Sequence, residues 1–447
     1  MSERALSTVE SALENQRIGT LQIRVALLCM LVQVCDGYDL NAIAWAVPSL
    51  IHEWHLPPPS FTTAFLWSSI GIMVGALSAG PLGDRVGRKP LLLASLTVFG
   101  VASLLSAFAG SLGMLSLLRF FTGIGIGGGF SGAAALTGDY TPRRRRALMI
   151  MASFTGAPLG GFVGGQLVAG LLPHFGWPVI FVLGGMFPLA LVLALVVWLP
   201  ESPRFLMARA ALSPRDQALL RELGIPRAGD AAAEPLDIAR GNPVAMLFGK
   251  GYALQTVLLW VVYFCSLMNL FLFAYWMPTV LNLIGMTPSE AVFASSLRDF
   301  GAIWTVLYLG AAIDRFGPER SLAWHYAAGA LFIAVIALFA LPYAMLLLVA
   351  FFAGMTITGS QTGANGACGK LYPARMRASG LGWALGIGRL GGIAAPVLGG
   401  YLLSLGLAPT HIFLSASVFA LIAAGATGLL AFRGNQVERL QVSEVMS

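Results

Sequence analysis

Residues 80–89, GPLGDRVGRK, return as GAAIDRFGPER at 310–320, with Asp84 and Asp314 separated by 230 positions. A second pair repeats at about the same offset: Tyr140-Thr141-Pro142 followed by Arg146-Ala147 matches Tyr372-Pro373 followed by Arg377-Ala378. Two independent motifs at one offset indicate an internal duplication. The polar stretch 200–250 falls between the copies and is the only long break in hydrophobicity, so it reads as a linker.

Composition says what each copy is made of. Of the 447 residues, 57% are hydrophobic and 11% charged, whereas a soluble domain carries about 25% charged residues. The chain is therefore an integral membrane protein. Apolar runs long enough to cross the hydrocarbon core as helices, about 20 residues each, lie at 24–50, 61–83, 90–109, 112–138, 147–172, 176–199, 252–283, 289–313, 321–342, 344–369, 378–405 and 408–431. The expected fold is all-α, with twelve membrane-spanning helices (spans 1 to 12) in two pseudo-symmetric halves of six. The predicted segments are an amino-terminal segment 1–23, a first half 24–199, a linker 200–250, a second half 251–432 and a tail 433–447. Parallel repeats of this kind are a transporter architecture, with the substrate bound near the midplane.

The net charge of +7 raises the question of nucleic acid, and the positions of the charges answer it. With the amino terminus inside, every Lys and Arg except Arg119, Arg298 and Arg389 falls on the cytoplasmic side, and no external loop contains one. That is the positive-inside asymmetry. It places both termini in the cytoplasm and the protein in the plasma membrane, the inner membrane in a bacterium. The basic charge then serves orientation and contact with anionic lipid, and nucleic acid is not expected. Residues 1–22 mix acids with bases and lack a short apolar core before a small-residue cleavage site, so a cytoplasmic tail or surface helix is expected there. All four cysteines lie within spans, which does not indicate a disulfide framework. No His, Cys and acidic grouping has metal-ligand spacing, and GIGIGGG at 123–129 follows no strand and precedes no P-loop Lys, so neither metal nor nucleotide cofactor is expected.

At GPLGDRVGRK, PESPRFL (200–206) and the repeated GxxxDRxG, the sequence resembles the major facilitator superfamily over nearly its whole length. A carboxylate at a helix end beside a glycine turn and an Arg/Lys cluster can clasp neighbouring helix ends and release them as the halves move. Asp84, Arg85, Arg88 and Lys89, with Asp314 and Arg315 in the second copy, are read as conformational gate residues. DGYD (36–39), RFFTGIGIGGG (119–129) and YPARMRASGLGWALGIGRLGGI (372–393) narrow the resemblance to the aromatic acid:proton symporter family. That resemblance implies import of benzoate-type or hydroxybenzoate-type acids. The sequence departs from it at SSLRDFGAIW (295–304), where Arg298 and Asp299 replace an uncharged polar patch.

Six ionisable residues sit at membrane depth: Asp36, Asp39, Arg119, Arg298, Asp299 and Arg389. An ionised group there costs at least about 2.5 kcal/mol, so each must face a cavity or a partner. Structural pairing of three cations with three anions is the bland reading. The sharper one begins with Asp36 and Asp39, which at i, i+3 share a helix face. Two close carboxylates repel when ionised, so at least one is expected to take up a proton and couple it to transport. Asp39 is the favoured carrier because it can reach Arg119 on span 4. For a substrate carboxylate, an arginine offers a permanent charge and a planar fork. Arg389 lies about eleven residues into span 11, roughly 16 Å at 1.5 Å per residue, and is the first candidate; Arg298, beside Asp299, is the second. An aromatic and polar lining is expected from Tyr38, Trp45, Asn269, Tyr275 and Trp276, the last three near the point where Pro278 interrupts span 7, with Gln361 and Asn365 able to bind a ring hydroxyl. The partners expected are a small organic anion, protons and the lipid bilayer, with the protein working as a monomer. Alternatives left open are another organic anion such as a dicarboxylate or a nicotinate-like acid, proton-driven drug efflux, and a non-transporting sensor. An enzyme is not expected, since no nucleophile–base pair stands out.

Overall fold

A computed structural model describes residues 18–209, 212–225, 247–249, 252–372 and 374–446; the side chains of 314, 365–371 and 433–446, with a few others, lie outside the described residues. Among the described residues there is no β-strand. Eleven helices among the described residues are long and apolar enough to cross a membrane. The remaining long helix, Pro288–Phe316, has 29 residues and differs in carrying Arg298 and Asp299 mid-course. With it the spans number twelve: Thr20–Trp54, Thr62–Val86, Arg88–Ser106, Leu112–Tyr140, Arg143–Phe175 with a break at Thr155, Pro178–Trp198, Ala253–Leu283, Pro288–Phe316, Pro318–Leu338, Tyr343–Leu371, Ala374–Ser404 and His411–Met446.

Local chemistry sets several of these boundaries. Span 5 breaks between Phe154 and Gly156; four residues after Phe154, Pro158 lacks the N–H that the Phe154 carbonyl would accept. Span 9 ends at Leu338 rather than at the expected 342, because Pro342 disfavours helical backbone before it. Pro278 was expected to interrupt span 7, yet the helix continues through it to Leu283; membrane helices tolerate proline where neighbours satisfy the freed carbonyl. The last span runs on as helix to Met446, through the segment read as a tail. In the linker, Ser202 and Ser213 cap the short helices Pro203–Ala208 and Pro214–Glu222 by accepting the N–H of Phe205 and Asp216. The duplicated motif has a common backbone device: Gly87 and Gly317 both adopt positive φ, +108° and +82°. A side chain at either position would strain the turn.

The chain divides into two compact units. One comprises Met1–Ala42, Trp67–Gly161 and Trp177–Ala239; the other comprises Ile43–Leu66, Phe162–Gly176 and Arg240–Ser447. Within the first unit, spans 1 and 5 pack backbone to backbone, and a Cβ at Gly37 would overlap the Ala157 carbonyl. Within the second, the end of span 1 and the end of span 5 are tied to span 8, where the Trp45 indole N–H donates to Ser295 Oγ at 3.2 Å and the Gln166 amide donates to Ser296 Oγ at 2.7 Å.

Candidate functional site

In the first unit the charged residues at membrane depth fall into two environments. Arg119 and Asp39 are almost wholly buried, at 1% and 3% exposure. Arg119 Nη1 donates to both carboxylate oxygens of Asp39, at 3.2 Å and 3.0 Å. Span 3 completes the arrangement: Ser103 Oγ donates to Asp39 Oδ1 at 2.9 Å, and Ser106 Oγ accepts from Arg119 Nη2 at 2.9 Å. The guanidinium also lies 4.7 Å from the Phe181 ring centroid, a cation–π contact. Two hydroxyls on span 3 thus hold an ion pair formed between spans 1 and 4. Nothing in the sequence marked these serines, because hydroxyls in apolar helices commonly bond their own preceding carbonyls; Ser106 also does so, donating to Ala102 at 2.8 Å.

Asp36 is different. It is fully buried, and neither carboxylate oxygen has a hydrogen-bond partner among the described residues. Its side chain lies against Gly129 of span 4. Tyr38 donates to the Ile180 carbonyl at 2.7 Å.

A second polar cluster joins the end of span 2, the start of span 3, the end of span 4 and the linker. Arg88 pairs with Asp84 at 2.8 Å on the surface, and Lys89 Nζ donates to the Val196 carbonyl at 2.9 Å. Its centre is Glu201, which was not among the predicted gate residues. Glu201 Oε1 accepts the backbone N–H groups of Arg88, Lys89 and Ser202 at 2.9, 3.1 and 2.8 Å. The carboxylate therefore satisfies orphan donors at the positive end of span 3. Asp139 accepts from Ser202 Oγ at 2.6 Å and pairs with Arg204 at 3.3 Å, while Tyr140 donates to the Glu201 carbonyl at 2.6 Å. The available signals were PESPR itself and Asp139, the acid immediately before Tyr140-Thr141-Pro142.

In the second unit, Arg298 donates to its neighbour Asp299 Oδ1 from Nε at 3.2 Å and Nη2 at 2.8 Å. Arg389 is the sixteenth of the 31 residues of span 11, half-buried, and makes no hydrogen bond or ion pair with the described residues. Tyr275 and Trp276 are fully buried; Phe65 stacks on Tyr275 at 4.9 Å and meets Trp276 edge-on at 5.3 Å. Asn269 Nδ2 donates to the Ala416 carbonyl at 3.0 Å, and Gln361 Oε1 is buried without a partner among the described residues. Arg315 lies over Phe316 at 5.2 Å. The side chains of Asp314 and Asn365 lie outside the described residues. A cavity of about 500 Å³ follows Ser379, Gly382, Trp383, Gly386, Ile387 and Leu390 along one face of span 11 and includes none of the predicted site residues.

These ingredients, apolar spans in duplicate, carboxylates and arginines at depth, and a charged clasp at helix ends, match a family model. The model for the Major Facilitator Superfamily aligns with residues 29–294 and 259–445. The chain belongs to the Major Facilitator Superfamily. It is a multi-pass membrane transporter and not an enzyme. It is 36% identical to the 4-hydroxybenzoate transporter PcaK of Pseudomonas putida over 406 residues, covering 89% of this chain and 90% of that protein. Its identity to the gallate transporter of Pseudomonas putida is also 36%, over 402 residues and 89% of each chain. Among solved structures, the D-xylose-proton symporter superimposes with a TM-score of 0.69 at 17% identity, covering 91% of this chain and 97% of that one, which is a likeness of fold.

Proposed function

We propose that this facilitator imports an aromatic carboxylic acid of the benzoate or hydroxybenzoate type together with a proton, by alternating access, across the bacterial inner membrane. Both termini are assigned to the cytoplasm from the charge asymmetry of the loops, and the halves 24–199 and 251–432 are assigned as the moving parts. The relatives named for 4-hydroxybenzoate and gallate support the substrate class.

The observation that carries the coupling is the contrast between two carboxyl groups on one face of span 1. Asp39 meets a guanidinium and a hydroxyl, so its charge is compensated. Asp36 meets no donor among the described residues, and such a group is accommodated as the neutral acid because an unpaired buried charge is too costly. The sequence favoured Asp39 as the carrier; this contrast supports Asp36 as the proton-bearing residue in the state described, with Asp39 exchanging its partner when the halves move. Arg389 is assigned the substrate carboxylate, with Arg298 second, and the buried aromatics of span 7 form part of the apolar surround. Asp84, Arg88, Lys89 and Glu201 make up the clasp on the cytoplasmic side.

The test is uptake of labelled 4-hydroxybenzoate by proteoliposomes under an imposed inward proton gradient. Wild type should accumulate the label, and a protonophore should abolish accumulation. Asp36→Asn should lose gradient-driven accumulation while retaining exchange of internal for external substrate. Uptake that ignores the gradient would sink proton symport, and no uptake by correctly inserted wild type would remove this acid as substrate.

A further inference from the structure

We propose that Gln33 is the positioning residue of the proton site: its side-chain carbonyl accepts the hydrogen of protonated Asp36. The inference rests on the proton-coupled reading above and deepens it.

Gln33 and Asp36 are i, i+3 on span 1 and so share a face. Both are fully buried. They also meet consecutive residues of span 4, Asp36 against Gly129 and Gln33 through its amide nitrogen, which donates to the Phe130 carbonyl at 3.4 Å. That bond orients the amide. A backbone carbonyl only accepts, so the NH2 group must face Phe130 and Oε1 must turn elsewhere. Among the described residues Gln33 Oε1 is then a buried acceptor without a donor, and Asp36 is a buried carboxyl without a partner on either oxygen. A buried acceptor left unsatisfied is costly, and so is the O–H of a neutral acid. One hydrogen bond from Asp36 to Gln33 removes both costs, and it exists only while Asp36 carries its proton. An ionised Asp36 would instead place a carboxylate beside a carbonyl dipole.

The packed stretches of spans 4 and 5 offer Asp36 no uncommitted cation. The ionisable groups flanking Asp36 on its own helix are Cys35, Tyr38 and Asp39, and the arginine of span 4, Arg119, is committed to Asp39. The stretch of span 5 packed against this part of span 1, Gly156 to Gly160, carries no ionisable side chain, and the nearest contact from span 3 at Gly129 is Leu96. Gln33 therefore distinguishes the two carboxyls chemically: Asp39 meets a guanidinium, whereas Asp36 meets an amide oxygen that can accept from its acid form.

The experiment is pH-difference infrared spectroscopy of the full-length protein in lipid, reading the carbonyl stretch of protonated carboxylic acids. Wild type should show a band at the frequency of a hydrogen-bonded acid, and Asp36→Asn should remove it. Gln33→Met, close in volume but without an acceptor, should move the band to the higher frequency of a free acid. It should also shift the pH midpoint of uptake to the acid side by up to about one unit, the scale of one hydrogen bond. A wild-type band already at the free-acid frequency would overturn the proposal without any Gln33 variant. So would a band that Asp36→Asn leaves in place, or one unchanged in Gln33→Met. Failure of the transport reading looks different: wild type takes up no 4-hydroxybenzoate, yet the Asp36 band still depends on Gln33.

Discussion

Arg119 on span 4 grips Asp39 on span 1 through both carboxylate oxygens, at 3.0 and 3.2 Å, with both residues shielded from solvent. Breaking a buried pair from one side leaves the other charge uncompensated, at a cost of about 3–5 kcal/mol. Arg119→Leu should therefore destabilise the protein severely. The double change Arg119→Leu with Asp39→Asn should recover much of that loss, since no charge remains. Melting of purified protein in one detergent checks this, and a double variant no more stable than Arg119→Leu would contradict the pairing.

Glu201 caps span 3 from a distance of more than a hundred residues, accepting the N–H groups of Arg88 and Lys89. Losing a cap costs about 0.5–2 kcal/mol, so Glu201→Ala should lower stability by that amount. Glu201→Gln keeps an acceptor and should lose less, mainly the interaction of charge with the helix dipole, about 0.3–1 kcal/mol. If the two variants melt together, the carboxylate is not acting as a cap. Because the clasp ties helix ends assigned to a moving half, both variants should also change the maximal uptake rate more than the apparent substrate affinity.

How far the sequence discloses such relationships depends on the physics involved. Twelve spans were legible because lipid leaves the backbone few options and hydropathy reports them, and the twofold occurrence of GxxxDRxG marked the internal duplication. The meeting of Asp39 with Arg119 was also within reach, since charges at membrane depth require partners. The roles of Ser103, Ser106 and Gln33 were not. An amide or hydroxyl in an apolar helix has cheap local or interhelical partners, and only the packing of spans 1, 3 and 4 shows which it meets. Phe65 against Tyr275 and Trp276 is a similar case, because a rank of aromatics in a span does not say whether its faces are open or already covered.

The closeness of spans 1 and 5 yields a steric prediction. Gly37 lies where a Cβ would overlap the Ala157 backbone, and backbone cannot swing aside as a long side chain can. Gly37→Ala should cost about 1–3 kcal/mol, the usual range for overpacking, and Gly37→Val more. Because Asp36 and Tyr38 flank this glycine, uptake should fall with stability. A fully stable, fully active Gly37→Val would mean that the two helices do not approach as described.

Arg389 poses the opposite problem from Arg119: a guanidinium at the middle of a membrane span with no hydrogen bond or ion pair among the described residues. Retaining such a cation costs at least about 2.5 kcal/mol on the insertion scale, so Arg389→Gln should insert at least as well as wild type and be no less stable. In the role proposed for Arg389 an arriving anion offsets that cost, and a planar carboxylate matches the guanidinium fork in a way that it does not match an ammonium point charge. Arg389→Lys should therefore keep the charge but lose one charge-assisted hydrogen bond, worth about 1.5–3 kcal/mol. That corresponds to a rise in apparent KM of roughly tenfold to a hundredfold, with the maximal rate changed far less. Arg389→Gln should abolish saturable uptake. Initial rates against substrate concentration at fixed external pH separate these outcomes. An Arg389→Gln variant with the wild-type KM would move the carboxylate elsewhere, and Arg298→Gln would then be the next variant to measure.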